Sequence, residues 1–193
     1  MTIQSVCVYC GSSNRVDDKY KKMAATVAAA LAAHKMRIVY GGGHVGLMGV
    51  LADAALAAGG EVVGIIPEHI RAHEVQHTGL TELVVVDSMH TRKSLMVERS
   101  DAFVILPGGF GTLEEAFEVL TWKQLALHNK PIVIYNAFGF WDLLTTLMEE
   151  VIAKGFAPET NRRIFKVVTT LDEMFDALNT PLDFVVDPKV KWI

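Results

Sequence analysis

Residues 102–115 read AFVILPGGFGTLEE, and this stretch decides the fold. Its first five residues are continuously apolar, as in a strand buried on both faces of a parallel sheet. Pro107, Gly108 and Gly109 stop that strand. From Leu113 onward apolar residues recur at helical spacing, which predicts a helix over 113–127. A buried strand, a glycine turn and a helix are half of a βαβ unit.

The same alternation extends outward along the chain. Strands are expected at 3–9, 37–40, 61–66, 83–86, 131–135 and 165–169, besides 102–106. Helices are expected at 17–34, 47–58, 90–100, 140–154 and 171–178, besides 113–127. The segment 67–79 carries no clear pattern, and the tail 181–193 is expected to be irregular. Strands alternating with helices predict the α/β class: a doubly wound parallel sheet flanked by helices on both faces. No repeat, low-complexity tract or linker divides the chain, so residues 1–193 are expected to form one domain. Ligands in such folds bind beyond the carboxyl ends of the strands.

Composition narrows the function. Of 193 residues, 51% are hydrophobic and 21% charged, which is globular rather than disordered. Against 22 acidic residues stand 18 Lys and Arg, a net charge of −4. No basic excess is present to hold a nucleic-acid backbone. An anionic ligand must be gripped locally, by a few side chains or by backbone N–H groups. No apolar run approaches the length of about 20 residues that spans a bilayer, and no signal peptide is visible. Two cysteines make no disulfide scaffold, so a cytoplasmic, reduced protein is expected. Cys7 and Cys10 have redox-motif spacing, but Cys7 lies within a strand and period-2 alternation sends the two to opposite faces. They are read as structural thiols.

Four segments carry candidate chemistry. The first is the loop from Pro107 to Glu115. Its glycines let the backbone approach an anion, and the first N–H groups of the helix are free to bind one. Thr112 either caps the helix or donates to a phosphate oxygen. At about 100° per residue, Leu113, Ala116, Phe117, Leu120 and Leu127 share the stripe expected to face the sheet. Glu115 lies nearly opposite, beside Val119, Trp122 and Ala126, while Glu114 and Thr121 lie on one flank. The side carrying Val119, Trp122, Leu125 and Ala126 is either a homodimer face or is covered by the C-terminal segment; the first is expected.

The second segment is Met89-His90-Thr91-Arg92-Lys93. Cations at a helix start oppose the helix dipole, which points to an anion or carboxylate partner. The third, Gly41-Gly42-Gly43-His44, and the fourth, Gly11-Ser12-Ser13, each follow a strand. They are weaker anion loops and contribute Ser13, Gly42 and Gly43 as candidates. No metal is expected, because neither the cysteines nor the seven histidines show ligand spacing.

PGGFGTLEE with MHTRK upstream resembles the LONELY GUY family, whose pattern is PGGxGTxxE. The resemblance extends from VYCGSS through YGGGHVGLMG to TWKQLALHNKPI and GFW. It implies a Rossmann-like homodimer that hydrolyses the N-glycosidic bond of cytokinin riboside 5′-monophosphates. Many members also hydrolyse AMP. The products are free base and ribose 5-phosphate, and no cofactor is implied. The older label of such proteins, lysine decarboxylase, finds no support in any pyridoxal-lysine context here. By resemblance the catalytic pair falls on Arg92 and Glu115. Substrate contacts fall on Glu74, Lys93, Gly108, Gly109, Phe110, Gly111, Thr112, Leu113, Glu114 and Thr121. Glu74 lies in the stretch whose pattern is silent. The expected partners are thus a nucleoside 5′-monophosphate and a second copy of the chain, with neither nucleic acid nor membrane. The competing reading is a nucleotide-binding or carrier module on the same fold that does not hydrolyse.

Overall fold

The structure, a computed structural model, describes residues 2–71 and 76–180. Glu74 and the tail 181–193 lie outside the described residues. In chain order the elements are β1 (Ser5–Tyr9), α1 (Asp18–Ala33), β2 (Arg37–Tyr40), α2 (Leu47–Ala57), β3 (Val62–Pro67), α3 (Glu68–Arg71) and β4 (Glu82–Val86). There follow α4 (Met89–Glu98), β5 (Ala102–Ile105), α5 (Phe110–Gln124), β6 (Ile132–Tyr135), α6 (Asp142–Ala153), β7 (Lys166–Val168) and α7 (Leu171–Asn179). The strands form one sheet in the order β4-β3-β2-β1-β5-β6-β7, and every neighbouring pair is parallel. This is the expected doubly wound α/β sheet. Among the described residues no helix is long and apolar enough to cross a membrane.

Period-2 alternation divides the interior into two cores. Val6, Val8, Ile38, Tyr40 and Val104 point to the face covered by α1, α2 and α7. Cys7, Tyr9, Val39, Phe103 and Ile105 point to the face covered by α4, α5 and α6. Cys7 and Cys10 therefore sit in different cores, and both thiols are free.

Helix α5 departs from expectation in two ways. It begins at Phe110 rather than 113, so Gly109 is its N-cap and Thr112 lies inside its first turn. Thr112 does not cap the helix. Its inward face is also rotated: of the expected stripe Ala116 and Leu120 are buried, joined by Thr112, Val119 and Lys123, whereas Phe117 is 43% and Leu127 68% exposed. Residue type misled the pattern here. Thr112 and Lys123 count as polar, yet they are the first and last members of the buried i, i+4, i+7, i+11 row. Val119 belongs to the core, and the exposed apolar side of α5 is the one carrying Phe117.

Lys123 is fully buried, with its ammonium donating to the Lys130 carbonyl at 2.8 Å. Burial pushes its pKa down to about 8. Nearby, the Lys130 N–H donates to His128 Nδ1 at 3.2 Å, so Nε2 carries the proton and donates to the Val119 carbonyl at 3.0 Å. Burial lowers the His128 pKa from 6.5 to about 4, against the Val119 hydrogen bond and helped by Lys123 and Lys130. The folded value lies below the unfolded one. The stability supplied by neutral His128 is full above about pH 6.5 and is lost as pH falls toward 4. The urea midpoint of the wild-type protein is therefore expected to fall more steeply than that of His128→Gln between about pH 7 and about pH 4.5. Equal slopes would contradict this account.

Candidate active site

The strand order reverses between β1 and β5, and the crevice of a doubly wound sheet opens at that point. The loops after the two strands are joined there. Gly11 N–H donates to the Pro107 carbonyl at 3.1 Å, and Leu47 N–H donates to the Gly11 carbonyl at 2.9 Å. Beyond them lies a cavity of about 480 Å³.

One wall is the start of α5. Gly109 offers no side chain to cap the helix, and the helix start has no side-chain cap hydrogen bond among the described residues. Gly108 is required by the fold: a Cβ there would lie 2.1 Å from the buried Thr112 Oγ1. Gly109 and Gly111 are different, because a Cβ at either would meet nothing within 4 Å. The fold leaves the backbone bare on the side where a ligand would approach.

The opposite wall comes from α4, whose first turn is capped by Ser88 Oγ accepting from Thr91 N–H at 3.1 Å. Arg92 and Lys93 leave this helix in different directions, and both are buried. The Arg92 guanidinium reaches the cavity, with Nη2 3.8 Å from Glu115 Oε1 and Nη1 3.7 Å from the Met89 sulfur. Its Nε is buried without a hydrogen-bond partner. The separation from Glu115 exceeds hydrogen-bond length, and the two groups face each other across the cavity wall. Glu115 is itself 12% exposed at the side chain. Lys93 turns to α5, where it pairs with Glu114 and lies 3.0 Å from Glu118. Burial would push its ammonium down, but the hydrogen bonds to Glu114 and Glu118 outweigh burial and hold it above the usual lysine value.

Of the candidate residues, Ser13, Arg92, Gly108, Gly109, Phe110, Gly111, Thr112, Glu114 and Glu115 line the cavity. Lys93, Leu113, Gly42 and Gly43 do not. Gly42 and Gly43 instead bind the chain beyond β3: the Gly42 carbonyl accepts from His77 N–H at 3.0 Å, and Gly43 pairs with Gln76. Thr121 lines a smaller cavity of about 250 Å³ between α5 and α6, with Phe117, Leu147 and Phe156. Sequence reasoning missed the apolar wall of the main cavity, formed by Val16, Tyr20, Ile70, Met89 and Phe140. Tyr20 stacks edge-on with Phe140 at 5.6 Å. Cys10 also lines the cavity, and burial pushes its thiol far up, which makes it a poor nucleophile.

His44, Asp53 and His77 bring three possible metal-ligand atoms within 4.8 Å of one another. Gly79 N–H donates to His77 Nδ1 at 3.0 Å, so Nε2 holds the ring proton and donates to Asp53 at 2.9 Å. No lone pair of the His77 ring is left for an ion in this arrangement.

Comparison with known proteins agrees with the motif. Residues 48–178 match a family model described as "possible lysine decarboxylase". A cytokinin riboside 5′-monophosphate phosphoribohydrolase of Rhodococcoides fascians is 48% identical over 182 residues, covering 93% of this chain and 91% of that protein. The chain belongs to the LONELY GUY family. A probable cytokinin riboside 5′-monophosphate phosphoribohydrolase of rice is a further LONELY GUY relative, 45% identical over 83% of this chain and 70% of that protein. Among solved structures, the molybdenum cofactor carrier protein of Chlamydomonas reinhardtii has a TM-score of 0.68 at 19% identity, over 91% of this chain and 96% of that one. At that identity the likeness to the LONELY GUY chain is one of fold.

The two kinds of glycine separate in a stability measurement. Gly108→Ala is expected to lower unfolding free energy by about 1–3 kcal/mol through overpacking. Gly111→Ala is expected to raise it by about 0.5–1 kcal/mol, because alanine is the better helix former. Urea unfolding of both variants checks the contrast, and a destabilised Gly111→Ala would refute it.

Proposed function

We propose that this chain hydrolyses the N-glycosidic bond of nucleoside 5′-monophosphates, with cytokinin riboside 5′-monophosphates as the preferred class and AMP as a further substrate. The observation that carries this reading is the Arg92–Glu115 pair at 3.8 Å, buried beside an uncapped glycine-rich helix start.

The bond between ribose C1′ and the base nitrogen breaks through a transition state with positive charge on C1′ and the ring oxygen. Glu115 supplies a carboxylate to stabilise that charge and to orient the attacking water. The water oxygen joins C1′, and the proton it loses balances the one the base nitrogen gains. Arg92 positions Glu115 and contacts the sugar or phosphate oxygens with the donors left over. The N–H groups at the start of α5 hold the 5′-phosphate, and this remote grip places the scissile bond. Lys93 contributes indirectly, by tying α4 to the first turns of α5. The apolar wall of Val16, Tyr20, Ile70 and Phe140 gives an apolar group on the base a place to bury.

A decarboxylase would need a lysine in the cavity to carry pyridoxal phosphate. Among the described residues that line it there is none. A non-hydrolysing carrier on the same fold would need the glycine loop but not the Arg92–Glu115 pair beside it.

The working unit of this reading is a homodimer. Leu143, Leu147, Val151 and Phe156 on and just after α6 are exposed, beside Phe117 of α5. A patch of this kind on a globular protein fits a second chain.

Glu115→Gln and Arg92→Ala are each expected to cut adenine release from AMP by roughly 10²–10⁴-fold in kcat while retaining the wild-type circular dichroism spectrum. Near-wild-type release by either would remove the roles assigned above, and AMP binding without release by the wild-type protein would favour the carrier. Gly111→Ala, folded and stable, is expected to raise the KM for AMP. In a substrate panel, kcat/KM for isopentenyl-adenosine monophosphate is expected to exceed that for AMP by at least about tenfold.

A further inference from the structure

Arg92 needs more than a partner to hold its place. Arg92 is 5% exposed and its Nε makes no hydrogen bond, so polar contacts alone do not fix the guanidinium's orientation. What lies against it is a bare stretch of backbone. Gly41 follows directly on β2, and a Cβ built there would stand 1.9 Å from Arg92 Nη2 and 3.1 Å from Cζ. The Met48 sulfur closes the same spot at 3.4 Å. The guanidinium therefore packs onto the Cα of Gly41, in the space any other residue would fill.

We propose that Gly41 is a positioning residue for the hydrolysis, and that its missing side chain sets where the Arg92 guanidinium stands relative to Glu115. The inference rests on the reading of Arg92 and Glu115 as the working pair. Ordinary contact begins near 3.4 Å, so a methyl group at residue 41 displaces the guanidinium by about 1.5 Å. The Met89 sulfur stands 3.7 Å from Nη1, and the cavity that Arg92 lines offers open space for the displaced guanidinium. Gly41 does not have the left-handed backbone conformation that Gly42 has at φ +78°, so alanine fits its main chain. The clashing atom is the end of a long side chain, which yields cheaply. Gly41→Ala should thus leave the fold intact and misplace a single charged group.

The test is Gly41→Ala, alone and in an Arg92→Ala background, with thermal unfolding, steady-state release of adenine from AMP, and crystallography. The single variant is expected to keep its melting temperature and to lose about 10–100-fold in kcat, with the guanidinium visibly shifted. In the Arg92→Ala background the same change is expected to alter kcat/KM by less than about twofold, because the group it acts through is gone. Three results would overturn the proposal: wild-type kcat in Gly41→Ala, an unmoved guanidinium, or an equal loss in both backgrounds. If the wild-type protein releases no base from either AMP or isopentenyl-adenosine monophosphate, the hydrolytic reading fails. The guanidinium position in the variant still decides the role of Gly41.

Discussion

Two cations on adjacent residues of α4 hold the working end of the molecule together. Taking a charged group out of water costs about several kcal/mol unless it finds a well-placed counter-charge. Arg92 and Lys93 are both buried, and the counter-charges for both come from α5. Lys93 spans Glu114 and Glu118, one turn apart, so it fixes both the rotation of α5 about its axis and the distance between the helices. Once that rotation is set, Glu115 cannot avoid facing Arg92, and the first N–H groups of α5 cannot avoid facing the cavity. Losing one partner would strand a buried charge, which is why the arrangement tolerates little drift.

This coupling explains how the sheet and the site fit together. A parallel sheet that reverses its winding between β1 and β5 leaves a gap at the carboxyl ends of those strands. The gap alone is generic. The α4–α5 clamp adds a negative group, a positive group and a helix start without a side-chain cap, at set positions. The net charge of −4 is no obstacle to the proposed anion grip, because a field of that kind is built over a few ångströms.

Much of this was legible in the residues, and the failures share a cause. The strands could be read because burial on both faces forces continuous apolar runs such as AFVIL and PIVIY. The glycine loop could be read because its residue types have few other uses at a strand end, whereas the pairing of Arg92 with Glu115 came from the family resemblance alone. Helix α5 could not be read by polarity, since Thr112 and Lys123 face inward and Phe117 faces out. The ends of a helix can bury a polar atom by giving it a local carbonyl, as Lys130 does for Lys123. Lys93 was open to an anion or a carboxylate partner, and only the structure shows its direction, toward Glu114 and Glu118. The apolar wall of Val16, Tyr20, Ile70 and Phe140 comes from four separate segments, and no local pattern joins them. Gly41 acts through an atom it lacks, on a residue far along the chain.

The division of the interior into two cores has a further consequence for how such a protein can change. The layer holding α4, α5 and α6 contains the ion pairs and the exposed apolar patch, so any alteration there meets several demands at once. The layer holding α1, α2 and α7 touches the cavity only near α1 and the start of α2, and α7 is secured by its own capping box through Thr170 and Glu173. The sheet stands between the two as a partition. Away from Cys10, Val16, Tyr20, Leu47 and Met48, which line the cavity, that half of the hydrophobic interior is thereby open to redesign, as a place to add stability or graft an extension.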